Sequence, residues 1–298
     1  MNIPTRTQPF ADRVAERSAR LETRLVVGLD PQLEFFPTAL QALEPEEALV
    51  RFSAGVLDAV RDLAVAVKPQ IAFFEQYGWR GLRAFQRCVE QAAAWGIPVI
   101  ADCKRGDIGS TATAYARAFL GDDPQTPGPY VDAVTLSPYL GRDSLAPFVT
   151  RAQAAGRGLF VLARTSNPGA RDLQDRATDG EPLYLGVARW IEAWSRETLG
   201  ACGYGPLGLV CGATYPQELA ELRAAAPHCL FLVPGLGAQG GKPEDLRLAF
   251  DARGYGALPS SSRAILYPWG SMPGPATGWL ASIHAAADET RCAIEAAR

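Results

Sequence analysis

The chain has 298 residues, 48% of them hydrophobic and 20% charged, with a formal net charge of −3. That is the composition of a globular protein with a substantial core, and the lack of a long basic run argues against a nucleic-acid binder. No apolar stretch reaches the roughly 18 residues that a membrane span needs, and the N-terminal Met1–Gln8 lacks the apolar core of a signal peptide.

Taken in order, Phe10 to Thr23 reads as a modest amphipathic helix, with Phe10, Val14 and Leu21 among charges. Arg24 to Pro31 follows as a buried strand whose end presents Asp30. Leu43, Ala48, Leu49, Phe52, Val56, Leu57 and Val60 recur at helical spacing, in a long helix that Pro45 helps to start. Leu63 to Pro69 is a second strand ending on Lys68, and its proline forces a loop. The alternation continues with helix Gly81–Trp95, strand Ile97–Ala101, helix Ser110–Leu120 capped by Ser110, and a Pro/Gly/Asp loop from Gly121 to Tyr130. Strand Val131–Leu136, helix Arg142–Ala155 and strand Gly158–Ala163 come next, then a polar loop from Asn167 to Pro182. Helix Leu183–Leu199, strand Leu207–Cys211, helix Pro216–Ala226, strand Cys229–Val233, helix Pro243–Arg253, strand Gly256–Ser260 and helix Gly278–Ala297 complete the chain.

Eight strands, each followed by a helix, with no composition shift to mark a linker, predict a parallel sheet covered by helices. In this length the units fit a closed (β/α)8 barrel better than an open doubly wound sheet. A single barrel over residues 1–298, preceded by the N-terminal helix, is expected.

In such a barrel the C-terminal strand ends surround one mouth, where chemistry is usually placed. The charges gather there: Asp30, Lys68, then Asp102, Lys104 and Asp107 in the stretch from Val99 to Thr111, then the Thr165-Ser166-Asn167 turn. Later ends offer the glycine-rich Pro234–Gly241 segment and Ser260-Ser261-Ser262-Arg263. Exposed backbone N–H groups and a planar guanidinium suit a phosphate, which barrels often hold after their last two strands. Gly235, Gly237 and Gly240 also match a dinucleotide-binding GxGxxG, but the motif falls in the seventh unit and is followed by a Ser-Arg turn. The six cysteines form no CxxC pair and read as reduced thiols, and with only His228 and His284 a His-based metal site is not expected. The cytoplasm is the expected compartment. Cys103 alternates with Asp102 and Lys104, so it points away from the pocket as a packing residue. Trp190, Ile191 and Trp194, at helical spacing, read as core.

Asp102-Cys103-Lys104-Arg105-Gly106-Asp107-Ile108 resembles the DxKxxDI signature of the orotidine 5′-phosphate decarboxylase family. Gly28-Leu29-Asp30, Val67-Lys68-Pro69, Pro234–Gly241 and Ser262-Arg263 appear in the family's order, so the likeness covers nearly the whole chain. The longer loops and the Thr165-Ser166-Asn167 turn resemble the family's longer bacterial variety. The resemblance implies decarboxylation of orotidine 5′-monophosphate to uridine 5′-monophosphate, with no metal or organic cofactor. It gives Lys104 the role of stabilising and protonating C6, and places Asp102 near the substrate carboxylate. Lys68 and Asp107 complete an alternating array. It further implies a homodimer in which Asp107, Ile108 and Thr111 serve the neighbouring subunit's site. Asp30 would meet the ribose, Ser166 the pyrimidine edge, and Gln239 and Arg263 the phosphate. The loop from Asn167 to Pro182 is the candidate for closure.

Two other readings of the same residues stay open. One is a Schiff-base aldolase acting on a phosphorylated sugar through Lys68 or Lys104. The other is a catalytically inert barrel that only binds nucleotide.

Overall fold

The structure is a computed structural model, and it describes residues 8–121, 128, 130–178, 180–236 and 241–298. Its eight barrel strands are β1 (Val26–Leu29), β2 (Ala66–Pro69), β3 (Ile100–Arg105), β4 (Ala133–Leu136), β5 (Gly158–Arg164), β6 (Leu207–Cys211), β7 (Phe231–Pro234) and β8 (Ala257–Ser261). All pair in parallel, in the order β2-β1-β8-β7-β6-β5-β4-β3. Between β2 and β3 the circle is drawn together by bridges at Val67–Val99 and Gln70–Asp102, so the barrel is nearly closed.

The strands are buried on both faces because helices cover the outside. The principal helices are α1 (Phe10–Leu21), α2 (Pro45–Val60), α3 (Gly78–Ala94), α4 (Gly109–Leu120), α5 (Arg142–Ala155), α6 (Leu183–Ser195), α7 (Pro216–Ala225) and α8 (Trp279–Ala296). Side chains alternate along each strand, as a two-residue period requires. Val27, Leu29, Val67, Ala101, Val134, Val161, Leu209 and Val233 join the cluster that packs against the helices. Val26, Ala66, Ile100, Ala133, Phe160, Val210, Leu232 and Leu258 form a second, inner cluster with Phe10, Ala11 and Val14 of α1.

Helix α1 therefore closes the bottom of the barrel. The Phe10 ring meets Phe160 edge-on at 5.9 Å, and the space a Cβ on Gly158 would need is taken by that ring. Burying Phe10 and Val14 removes apolar area worth roughly 1.5–3 kcal/mol for each side chain. Polar ties orient the helix: Asp12 accepts the N–H groups of Ala201 (3.0 Å) and Cys202 (2.8 Å), and Arg17 donates to the carbonyls of Ala64 and Gly96.

Several boundaries differ from the sequence-based expectation. Strand β3 does not stop at Ala101 but runs on to Arg105 through an irregular register against β4, with Lys104 in the left-handed region at φ 45°. Helix α4 starts at Gly109 with extended Ile108 before it, and no side chain caps it, so Ser110 is not an N-cap. The expected helix over 243–253 shrinks to a 3-10 segment, Pro243–Leu248. The polar loop from Asn167 to Pro182 is built rather than open: a 3-10 turn, Pro168–Asp172, precedes a two-residue antiparallel pair, Ala177–Thr178 with Glu181–Pro182. The Gly121–Tyr130 loop lies mostly outside the described residues. Among the described residues no helix is long and apolar enough to cross a membrane.

Candidate active site

The strand alternation that fills the barrel also aims its charged residues. Val26, Gly28 and Asp30 share one phase, as do Ala66 with Lys68, Ile100 with Asp102, and Ala133 with Thr135. Each series begins in the inner apolar cluster and ends on a polar residue at the C-terminal mouth. The sequence thus places the groups by counting twos upward from the core.

Asp102 is the centre. Its Oδ2 accepts from Lys68 Nζ at 3.0 Å, and its Oδ1 accepts from Lys104 Nζ at 2.5 Å and from Thr135 Oγ1 at 3.0 Å. Burial alone would push the Asp102 pKa up, but the two ammonium groups and their hydrogen bonds hold it well below the usual carboxylate range. Burial works to lower the Lys68 pKa. The charges of Asp102 and Asp30, and the Asp102 hydrogen bond, outweigh that and keep it above its ordinary value. The two lysines differ in freedom: Lys68 is only 5% exposed, whereas the Lys104 side chain is 45% exposed to the mouth. One cation is fixed and the other can reach.

The rest of the signature splits away from this trio. Cys103 is buried in the outer cluster, its Sγ 3.5 Å from the Thr135 carbonyl, and burial pushes its thiol up to about 11. It is a protonated packing residue at neutral pH. Arg105 turns outward, pairs with Glu75, and lies over the rings of Tyr115 and Phe119 on α4. Asp107 Oδ1 accepts the backbone N–H of Ile108 at 2.8 Å, and among the described residues it forms no ion pair. Within one chain Asp107 does not join Lys68, Asp102 and Lys104. Ile108 and Thr111 are exposed at the same mouth.

Asp30 ends β1 with one carboxylate oxygen, Oδ1, buried and without a hydrogen-bond partner. Such an atom is costly unless something completes it. Its strand passes very close to the last barrel loop: a Cβ on Gly28 would sit 1.8 Å from Ser262 Oγ. Only glycine permits that approach, which brings the start of the short helix Arg263–Leu266, with Arg263 exposed, beside the neighbouring strand end that carries Asp30. The glycine-rich segment after β7 is pinned at its ends by the Gly241 N–H to the Gly235 carbonyl, 3.1 Å, with Gly235 at φ 109°. Gln239 lies outside the described residues.

Sequence reasoning missed the support of the Ser166 turn. Arg164, 1% exposed at the end of β5, stacks over Tyr215 at 4.2 Å and pairs with Asp175 at 3.2 Å. Gln174 Oε1 accepts the Thr165 N–H at 2.9 Å, and its Nε2 donates to Thr165 Oγ1 at 2.8 Å. Behind Ser166, Gly212 leaves little room for a Cβ, whose nearest atoms would lie 3.0 Å away. The loop from Asn167 to Pro182 is thereby tied to the turn it follows. Thr135 was also missed, although a lone hydroxyl at the inward phase of Ala-Val-Thr-Leu was a readable signal.

At the opposite end of the barrel a cavity of about 360 Å³ lies under α1, lined by Val14, Cys202, Tyr204, Leu230 and Tyr255. It contains none of the signature residues and is not the candidate site. Among the described residues, no group of three or more His, Cys, Asp and Glu side chains could hold a metal ion.

A (β/α)8 barrel carrying a Lys–Asp–Lys cluster at its C-terminal mouth, buried at Lys68 and Asp102 and open at Lys104, is built as an enzyme that manages charge with amino-acid side chains. The model of the orotidine 5′-phosphate decarboxylase / HUMPS family matches residues 23–267, and the chain belongs to this family. It is 47% identical over 266 residues to the orotidine 5′-phosphate decarboxylase of Rhodopirellula baltica, covering 87% of this chain and 88% of that protein. It is 44% identical over 294 residues to the protein of that name from Roseiflexus castenholzii, covering 97% and 98%. Among solved structures, Leishmania donovani OMP decarboxylase superposes with a TM-score of 0.76 at 34% identity, covering 97% of this chain and 98% of that one.

Proposed function

We propose that this enzyme is a carboxy-lyase that converts orotidine 5′-monophosphate to uridine 5′-monophosphate in de novo pyrimidine biosynthesis, with Lys104 as the proton donor to C6. The observation that carries the reading is Asp102 held between Lys68 and Lys104 at the mouth. When the bond between C6 and the carboxylate breaks, CO2 leaves and the electron pair stays on C6 with little delocalisation. Catalysis must stabilise a negative charge that exists only late in the reaction. The Lys104 ammonium, on a half-exposed side chain and donating to Asp102 Oδ1, can lie beside that carbon and give it a proton. The neutral amine then regains a proton from water. Asp102, ionised throughout, would oppose the substrate carboxylate in the ground state and lose that opposition as CO2 departs. Lys68 holds Asp102 in place during the exchange.

Asp30, with its unpartnered buried oxygen, suits a ribose hydroxyl, and Ser166 on its braced turn suits the pyrimidine edge. Arg263 and Gln239 would hold the phosphate, whose binding energy can draw the Asn167–Pro182 loop over the base. We further assign Asp107, Ile108 and Thr111 to the neighbouring subunit's site in a homodimer. In support, Asp107 stands apart from the trio within its own chain. The adjoining loops after β3 and β4, tied by the Ser137 N–H to the Arg105 carbonyl, expose Ile108 (57%), Tyr139 (75%) and Leu140. The barrel with its N-terminal helix would act as one catalytic domain, and a charged nucleotide substrate places it in the cytoplasm.

An aldolase fits the geometry less well, because both lysines are tied to Asp102 and Lys68 is held in the charged form, the wrong state for a nucleophile. The test is the absorbance change on conversion of orotidine 5′-monophosphate, with EDTA present, for wild type and Lys104→Ala. Turnover by wild type that the substitution abolishes supports the reading. A folded wild type that binds uridine 5′-monophosphate without turnover would make the barrel a binding module.

A further inference from the structure

We infer that Thr135 is a positioning residue for the reaction, one hydroxyl that fixes both Asp102 and the backbone carrying Lys104. The inference rests on the decarboxylase reading above. Thr135 lies on β4, 1% exposed, pointing inward beneath the mouth. Its Oγ1 donates to Asp102 Oδ1 at 3.0 Å and accepts the backbone N–H groups of Cys103 at 3.0 Å and Lys104 at 2.9 Å. A hydroxyl has one proton and two lone pairs, so all of its capacity is spent on three consecutive signature residues.

The place is special because the β3–β4 ladder breaks there. Its register runs from Ile100–Ala133 and Ala101–Val134 to Arg105–Leu136, with a shift between. Thr135 Oγ1 takes the two N–H groups left over by that irregularity, which a regular ladder would have given to a main-chain carbonyl. The irregularity is what lets Lys104 adopt φ 45°, a conformation a lysine rarely takes and one that needs its surroundings to hold it. Asp102 Oδ1 is the oxygen that Lys104 also uses. Once Lys104 gives its proton away, Thr135 is the neutral donor that keeps this oxygen occupied while Lys68 holds the other. The hydroxyl thus ties the donor's backbone to the carboxylate that aims it.

This role predicts a loss in the chemical step and not in ground-state binding, since the Thr135 hydroxyl bonds Asp102, Cys103 and Lys104 and, among the described residues, none of the groups assigned to ribose, base or phosphate. Thr135→Val and Thr135→Ser are compared for kcat and KM on orotidine 5′-monophosphate, for uridine 5′-monophosphate affinity by calorimetry, and for melting temperature. Thr135→Val should lose about tenfold to a hundredfold in kcat, the scale of a lost hydrogen bond to a charged group. Its product affinity should stay within about threefold, and Thr135→Ser should recover most of the rate. If Thr135→Val does not fold, Thr135→Cys, with its weak donor, should still lose at least about tenfold relative to Thr135→Ser. Wild-type kcat in Thr135→Val, equal losses in the valine and serine variants, or a parallel fall in rate and product affinity would each overturn the inference. Equal rates in the cysteine and serine variants would do the same. Absence of turnover in the wild type would instead overturn the decarboxylase reading.

Discussion

Replacing Asp102 by Asn tests the claim that the central carboxylate is needed for stability as well as for chemistry. The amide keeps the shape but offers one oxygen where the carboxylate offered two. Its NH2 must face either Lys68 or the side that Lys104 and Thr135 occupy. Lys68 is buried and cannot leave, so the remaining oxygen goes to it. The NH2 then meets Thr135, whose lone pairs are already taken by the Cys103 and Lys104 N–H groups, and Lys104 swings to solvent. What remains is a buried ammonium with Asp30 as its nearest carboxylate charge. Breaking a buried pair costs about 3–5 kcal/mol, and the retained hydrogen bond puts this case near 3. That corresponds to a fall in Tm of about 5 °C for a chain of this size. The pH dependence has a definite sign. Asp102 is lowered from 3.8 on folding, so its contribution is complete above that value and fades as pH falls through it toward the folded value. Lys68 is raised from 10.5, so its contribution is complete below that value and is lost as pH rises above it. Urea unfolding of wild type and Asp102→Asn should therefore differ by a constant amount from about pH 5 to about pH 9, with the gap beginning to close below about pH 4 and narrowing as pH falls further. A variant that unfolds within 0.5 kcal/mol of wild type (roughly the spread of a neutral surface substitution) at pH 7 would refute the assignment of the pair as stabilising.

The shared-site proposal predicts that Lys104→Ala and Asp107→Ala proteins, each inactive alone, regain activity when mixed. Random exchange leaves half the dimers mixed with one intact site each, so recovery should approach about a quarter of wild-type activity. No recovery, with exchange shown by mass or fluorescence, would remove Asp107 from the partner's site. Gly28→Ala drives a methyl into Ser262 and should part β1 from the Ser262-Arg263 loop. Raised KM for orotidine 5′-monophosphate, by about tenfold, and a melting temperature lower by a few degrees are expected, the scale of local overpacking. Unchanged KM would mean that the loop relaxes without disturbing Arg263.

The barrel was legible because its strands are short apolar runs ending on charged or turn residues, and that pattern repeats eight times. Lys68 could be placed near a strand end from Val67-Lys68-Pro69, although the proline does not stop the ladder: Pro69 pairs with Leu29 and Gln70 still bridges Asp102 before the short helix Ala72–Glu75. What failed was the end of β3. An apolar run that gives way to Asp102-Cys103-Lys104-Arg105 reads as a strand ending at Ala101. The backbone continues because Thr135 Oγ1 accepts the Cys103 and Lys104 N–H groups and the Ser137 N–H donates to the Arg105 carbonyl, partners that one-dimensional pattern cannot show. The Ser110 cap failed for a related reason: Gly109 at φ 53° turns the chain into the helix one residue early. The bracing of the Ser166 turn by Gln174 was invisible because a glutamine in a polar loop carries no periodicity.

Counting explains why a missed boundary did not displace the site. A strand residue faces inward or outward by parity, and parity survives an error of two or three residues in where the strand is judged to end. Asp102 shares the phase of Ile100, and Cys103 the phase of Ala101, because β3 runs on through both, while Lys104, at φ 45° past the register shift, meets Asp102 through its ion pair. Asp102 therefore enters the barrel for the same reason that Ile100 does, and Cys103 leaves it for the same reason that Ala101 does. Asp107 lies beyond this regime, past Gly106, where parity no longer applies and the chain has left the sheet. Its direction is set by the turn into α4 and not by the barrel. It is accordingly the one member of the alternating array that the fold of a single chain does not bring to Asp102.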